Sequence, residues 1–268
     1  MNNVLEANAL TVTYGNANIL EDLHLQVPEG KITVLVGANG CGKSTLLRTF
    51  ARLIKPKDGH VLLDGEKIRD LSTKAVAKRL AILPQGPIAP EGLTVLQLIK
   101  QGRYPHQSWI KQWSKEDEQI VNQALEATQM TPFANSPVNA LSGGQRQRAW
   151  IAMTLAQKTD LILLDEPTTY LDMAHQVEIL DLLFDLNSKE NRTVVMVLHD
   201  LNLACRYAHH IVAVRDKKIY AQGRPDEIIT IDLVKDVFGM GCTIMNDPLF
   251  GTPLCVPHGK GIKCCLRA

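Results

Sequence analysis

Apolar and polar residues alternate near the start of the chain. Leu23, Leu25 and Val27 are separated by His24 and Gln26, the period-two pattern of a strand with one dry and one wet face. Pro28-Glu29-Gly30 then marks a turn. The run that follows, ITVLVG, is apolar without alternation, as in a strand covered on both faces. Leu80–Leu83, Leu161–Leu164 and Val194–Leu198 read the same way. ITVLVG ends at Gly37, where a glycine-rich loop begins. The others end in polar residues, at Pro84-Gln85, Asp165-Glu166 and His199. In an open parallel sheet, ligands bind beyond the carboxyl ends of the strands. If these runs are parallel neighbours, Gln85, Asp165, Glu166 and His199 all reach that loop.

Between these runs other elements are legible. A helix is expected from Lys43. HVLLDGEKI reads as a strand entering an Asp64-Gly65 turn. Residues 86–157 read as mainly helical. Thr94-Val95-Leu96-Gln97 and Ser114-Lys115-Glu116-Asp117 fit the capping-box pattern of a helix start. Ile120, Val121, Ala124, Leu125 and Thr128 then recur at helical spacing. IVAVRDKKIYAQG reads as a strand pair. One helix is expected from near Pro225 to Gly239, proline first and glycine last. The expectation is an α/β fold with a parallel sheet, an N-terminal antiparallel β subdomain and a helical subdomain inserted at about 86–157. Together these make a single domain over 1–268.

Composition narrows the function classes. The 268 residues are 45% hydrophobic with a net charge of +1, so no global field draws the chain to nucleic acid, and none is expected as a partner. No apolar run approaches the roughly 20 residues of a membrane helix. The start, MNNVLEANAL, has no basic segment followed by an apolar one, so no secretion signal is expected and the cytosol is the expected compartment. The six cysteines, Cys41, Cys205, Cys242, Cys255, Cys264 and Cys265, include no C-x-x-C pair and fit no zinc spacing; they read as reduced thiols.

Two strings carry the chemistry. GANGCGKST at 37–45 has the G-x-x-x-x-G-K-S spacing of a phosphate-binding loop. Its glycines let the backbone curl until successive N–H groups face one anion. Lys43 adds a point charge for the outer phosphates, and Ser44 places a hydroxyl for Mg²⁺. The expected nucleotide contacts are Gly37, Asn39, Gly40, Cys41, Gly42, Lys43, Ser44 and Thr45, with Tyr14 stacking on adenine. Cys41 is also expected to be a reactive thiol, because a helix N-terminus lowers thiol pKa. In LILLDEP, Asp165 would hold Mg²⁺ through water, and Glu166 would polarise the attacking water. Gln85 would reach the metal or that water. His199 would hold the terminal phosphate and orient Glu166. The second string, LSGGQ at 141–145, puts Ser142, Gly143, Gly144 and Gln145 at a helix start, where free N–H groups make an anion site. Arg146 and Arg148 read as surface charges on that helix. The two strings are halves of one ATP site. Neither completes it alone, so two copies are expected to close over ATP.

The order GANGCGKST, Gln85, LSGGQ, LLDEP, Tyr170-Leu171-Asp172 and His199 resembles the nucleotide-binding subunit of ABC transporters over nearly the whole chain. The resemblance implies a phosphate-loop NTPase core and a head-to-tail homodimer in which each loop faces the other chain's Ser142. It also implies Asp172 at the dimer interface, Gln85 as the Q-loop and His199 as the switch histidine. GRYPHQ at 102–107, RQRAWIAM at 146–153 and DEPTTYLDMAHQVEIL at 165–180 further resemble the ATPases of iron–siderophore importers, including the ferric citrate type. That likeness implies ATP and Mg²⁺ as cofactors, integral membrane permease subunits and, indirectly, an extracytoplasmic substrate-binding protein as partners. It implies a peripheral position on the cytoplasmic face of the inner membrane. Leu98–Trp109 is the expected permease contact. Cobalamin or haem importers, ABC exporters and soluble ABC ATPases acting on nucleic acid or ribosomes are the rival readings. One departure from the family pattern is PHGKGIKCCLRA, which continues beyond DPLFGTPLC.

Overall fold

The computed structural model describes residues 3–108, 113–169 and 171–260. Trp109, Tyr170, Cys264 and Cys265 lie outside the described residues.

The alternating N-terminal pattern folds into an antiparallel sheet. Its strands are β1 (Asn3–Tyr14), β2 (Ala17–Pro28), β4 (Asp58–Leu63) and β5 (Glu66–Lys67), in the order β2-β1-β4-β5. On β2, Leu23, Leu25 and Val27 are buried while His24 and Gln26 are exposed. The period of two thus reports a sheet with one face on the core.

The non-alternating runs form four consecutive strands of a second sheet. Its strands are β3 (Ile32–Val36), β6 (Leu80–Leu83), β7 (Leu161–Leu164), β8 (Thr193–Val197), β9 (His210–Arg215) and β10 (Lys218–Gly223). Their order is β10-β9-β3-β8-β7-β6. All neighbours pair in parallel except β10, which is antiparallel to β9. Alternate residues on these strands enter different cores. Ile32, Val34, Val36, Ile162 and Leu164 pack with the helices. Leu35, Leu161 and Leu163 pack with the antiparallel sheet and α1 (Lys43–Phe50). Both faces of β3, β7 and β8 are dry, so these strands are almost wholly apolar. Each fully buried leucine contributes about 1.5–3 kcal/mol. The strand pair expected in IVAVRDKKIYAQG is β9 and β10, and β9 also extends the parallel sheet on the far side of β3.

Between α2 (Thr73–Arg79) with β6 and the acidic strand β7, the described chain is helical: α3 (Val95–Gln101), α4 (Lys115–Ala127) and α5 (Gly143–Ala156). Both expected capping boxes form, Thr94 with Gln97 and Ser114 with Asp117. Arg103 and Asp117 are nearly buried, and the Arg103 Nε to Asp117 Oδ1 distance is 2.8 Å. Arg103 Nη1 also donates to the Ala156 carbonyl. This pair ties the end of α3 to α4 and α5. Removing either partner would strand a buried charge.

After β7 come α6 (Met173–Glu190), α7 (Leu201–Tyr207), α8 (Pro225–Ile228), α9 (Ile231–Phe238) and a hairpin of β11 (Cys242–Asn246) and β12 (Pro253–Pro257). Two expectations are corrected here. The single helix expected from Pro225 to Gly239 is two, because Thr230 takes extended backbone angles and its hydroxyl accepts the Leu233 N–H, starting a new helix. Arg148 is not a surface charge. It bridges α5 to Glu178 of α6 and to Gln129, because those elements lie on both sides of its helix face.

Candidate functional site

The site is built at the carboxyl ends of the parallel strands. Between β3 and α1 the chain turns through Gly37, Gly40 and Gly42, all with positive φ. At Gly37 a Cβ would lie 2.3 Å from the Val214 carbonyl oxygen, and at Gly42 one would lie 2.7 Å from Leu20 Cδ2. Only glycine fits both positions. Lys43 is 5% exposed, and its Nζ donates to the carbonyls of Gly37 and Ala38 at 2.8 Å each. The ammonium thereby curls the loop around itself. Gly42 caps α1 without a side-chain bond, so the first N–H groups of the helix are left for an anion.

A cleft of about 480 Å³ opens over this loop. Tyr14, Asn39, Gly40, Gly42, Lys43, Ser44 and Thr45 line it together with Gln85, Glu166 and His199. Gly37 and Cys41 belong to the loop but do not line the cleft. Cys41 Sγ instead lies 3.7 Å from Lys43 Nζ. The switch from β9 on one side of β3 to β8 on the other places the crevice at the strand ends.

Glu166 is the most constrained group here. Its φ of 56° is left-handed, a strained geometry for a non-glycine residue. Its Oε1 lies 2.8 Å from His199 Nε2. Its Oε2 accepts from Gln85 Nε2 at 2.7 Å and from the Thr169 hydroxyl at 2.9 Å. Burial pushes the Glu166 carboxyl up, but His199, Thr169 and Gln85 outweigh it and hold the pKa below its ordinary value. Sequence reasoning missed Thr169. The one available signal was a hydroxyl three positions after Glu166, within reach if the chain turns there, as it does.

Asp165 sits behind the cleft, 1% exposed. Its N–H donates to the Leu83 carbonyl, fastening β7 to β6. Neither carboxylate oxygen has a hydrogen-bond partner among the described residues. Arg48 Nε on α1 is 3.5 Å away, and burial pushes the carboxyl pKa up against the pull of Ser44 and Arg48. A buried carboxylate whose oxygens make no hydrogen bond, close to Ser44 and Arg48, fits a hydrated Mg²⁺, which prefers oxygen ligands and keeps several waters. No group of three or more His, Cys, Asp or Glu side chains able to hold a metal occurs among the described residues. A metal here would rest on water and nucleotide as much as on protein.

The second string lies elsewhere. Ser142, Gly143, Gly144 and Gln145 do not line the cleft. Ser142 Oγ accepts the Gln145 N–H, and Gln145 Oε1 accepts the Ser142 N–H, a complete capping box. Gly144 is neither strained nor crowded: a Cβ there would lie 3.5 Å from Leu171 Cδ2. Asp172 caps α6, its Oδ1 accepting the His175 N–H at 2.9 Å. Gln147 Nε2 donates to the Pro167 carbonyl, linking this helix to the turn after Glu166.

A glycine-rich loop closing on a buried lysine, beside a strand ending in two carboxylates, defines a nucleoside triphosphatase. The chain belongs to the ABC transporter family, whose profile matches residues 20–169. Its enzyme class is therefore a transport-coupled ATPase, as the motif order implied. The chain is 68% identical over 257 residues to the probable siderophore transport system ATP-binding protein YusV of Bacillus subtilis (strain 168), covering 96% of this chain and 94% of the relative. It is 66% identical over 261 residues to the petrobactin import ATP-binding protein FpuD of Bacillus anthracis, covering 97% and 96%. Against the ferric enterobactin transport ATP-binding protein FepC of Escherichia coli (strain K12) the identity is 51% over 256 residues, covering 96% and 94%. Among solved structures, an inward-facing metal-chelate type ABC transporter superposes with a TM-score of 0.82 at 29% identity, covering 97% of this chain and 98% of that one. The dimeric cassette MJ0796 bound to ADP and Pi gives 0.74 at 31% identity, covering 82% and 98%.

Proposed function

We propose that this chain is the ATP-binding subunit of an importer that carries an iron chelate, a ferric siderophore or ferric citrate, through a membrane permease. The single observation that carries the catalytic part is Glu166, a carboxylate held from three sides at the mouth of the loop cleft. In this reading the loop 37–45 binds the phosphates and Tyr14 stacks on the base. Glu166 accepts the proton of the attacking water, while His199 and Gln85 keep its oxygens aimed. Asp165, Ser44 and Gln85 would hold Mg²⁺, which supplies charge neutralisation at the phosphates when bound. Relatives named for siderophore, petrobactin and ferric enterobactin transport support the choice of cargo.

The LSGGQ half acts in trans. Ser142 to Gln145 stay outside their own chain's cleft, which supports a head-to-tail homodimer in which they cap the partner's nucleotide, with Asp172 at the contact. ATP drives the cycle by binding the closed pair better than the open one. The permease docks on the stretch Leu98–Trp109. A groove of about 420 Å³ formed by Gln97, Lys100, Tyr104 and Trp113 supports that surface. An extracytoplasmic binding protein delivers cargo to the permease from the other side. No helix among the described residues is long and apolar enough to cross a membrane. The subunit works as a peripheral protein on the cytoplasmic face of the inner membrane.

Uptake of labelled ferric siderophores, ferric citrate, haem and cobalamin, with and without this subunit, tests the reading. Loss of ferric chelate uptake alone is expected. Loss confined to haem or cobalamin would overturn the cargo and leave the ATPase in place.

A further inference from the structure

A second cavity lies on the antiparallel sheet, away from the nucleotide cleft. Its volume is about 350 Å³, and its floor is Ile54, Val61 and Ile68. Arg52, Lys55, Lys57, His60 and Arg69 surround that floor, and no acidic side chain lines it. In a chain whose net charge is +1, such a one-sided concentration of cations is a local feature.

Most of these cations lack an acidic partner. Among the described residues, Arg52, Lys55 and Lys57 form no ion pair. Arg52 is anchored by neutral acceptors alone: the Ile68 and Leu71 carbonyls at 3.2 and 2.6 Å and the Thr73 hydroxyl at 2.7 Å. Its charge is held in place and left unneutralised. Arg69 faces only Asp70, at 3.5 Å, with both side chains 67% exposed, so water competes with that pair. Like charges around one hollow repel each other. An anion seated among them relieves that repulsion and gains charge-assisted hydrogen bonds. Ile54 leaves part of its surface open to a non-polar body, above the nearly buried Val61 and Ile68, and the volume is at the small end of ligand sites.

We propose that this cavity binds a small organic anion, its phosphate or carboxylate head on Lys55, Lys57 and Arg69 and its apolar body on Ile54, Val61 and Ile68. Thr49 and Arg52 place the cavity at the far end of α1, whose other end carries Lys43 and Ser44. The proposal does not depend on the cargo or on the dimer.

Calorimetric titration of the full chain, with its nucleotide cleft filled by ADP, tests the site. The probes are phenyl phosphate, benzoate and phenol, which share a body and differ in the head. Saturable binding of phenyl phosphate or benzoate is expected. It should weaken about tenfold or more in the Lys55→Ala/Lys57→Ala double variant, whose melting temperature should be unchanged because both side chains are exposed. The stronger of the two anions identifies the head group. The site is overturned if neither anion saturates, if phenol binds as well as the anions, or if the double variant binds as the parent does.

Discussion

The two proposed halves of the ATP site differ in how far one chain completes them. The loop half is assembled. Its glycines are in strained or crowded positions, its lysine is buried against loop carbonyls, and Glu166 is tied to His199, Gln85 and Thr169. The LSGGQ half is satisfied by its own capping box, is exposed at Ser142 and Gly143, and does not line the cleft. Preorganised polar groups in the first half indicate where charge is stabilised without later rearrangement. Gly144, which the fold itself does not require, is the matching feature of the second half: a small residue where no packing within the chain demands one.

The largest expected effect tests the assembled half. Glu166→Gln should retain ATP binding and lose about 10²–10⁴-fold in turnover, leaving an ATP-loaded dimer visible by light scattering. Normal turnover would remove Glu166 as the base, and a strictly monomeric ATP-loaded form would remove the shared site. Next comes Ser142→Arg, which tests the exposed half. Nucleotide affinity of the monomer should be unchanged while turnover falls about 10²-fold or more. Equal loss of affinity would break the distinction between the halves.

A pair of glycine substitutions sharpens the same contrast through stability. Gly37→Ala should cost about 1–3 kcal/mol in chemical denaturation, since positive φ and a backbone clash coincide there. Gly144→Ala should stay within about 0.5 kcal/mol of the parent and still lose turnover. If Gly144→Ala turns over normally, no partner approaches that backbone closely.

The smallest effect is in pH dependence. With its pKa held below the ordinary 4.5, Glu166 stays ionised until pH falls through that lowered value. The stabilisation from its contacts is present above the ordinary value and fades on acidification. His199→Ala removes a lowering contact, so the Glu166 titration followed by carboxyl NMR should move to higher pH. An unmoved titration would mean that His199 does not act on Glu166.

Much of this was legible from the chain alone, for an identifiable reason. Strands such as Ile32–Val36 and Leu161–Leu164 announce burial on both faces through composition, and Asp165, Glu166, Gln85 and His199 announce themselves as polar residues where such strands stop. Helix starts at Thr94, Ser114 and Ser142 are written in four-residue patterns. Thr169 escaped because a hydroxyl after a carboxylate has no periodicity. Arg148 escaped because a charged residue on a helix looks alike whether it faces water or a neighbouring helix. The break at Thr230 escaped because proline and glycine at the two ends outweighed one internal cap.

Local spacing, which needs no knowledge of distant neighbours, was enough for the loop, the acidic strand end and the family. Strand order was another matter. That β3 lies between β8 and β9, that Arg48 approaches Asp165, and that Ser142 stays off its own cleft follow from pairings between residues far apart in sequence. Such pairings are selected by how two covered sheet faces fill against helices on one side and a second sheet on the other. No short window of residues contains that information.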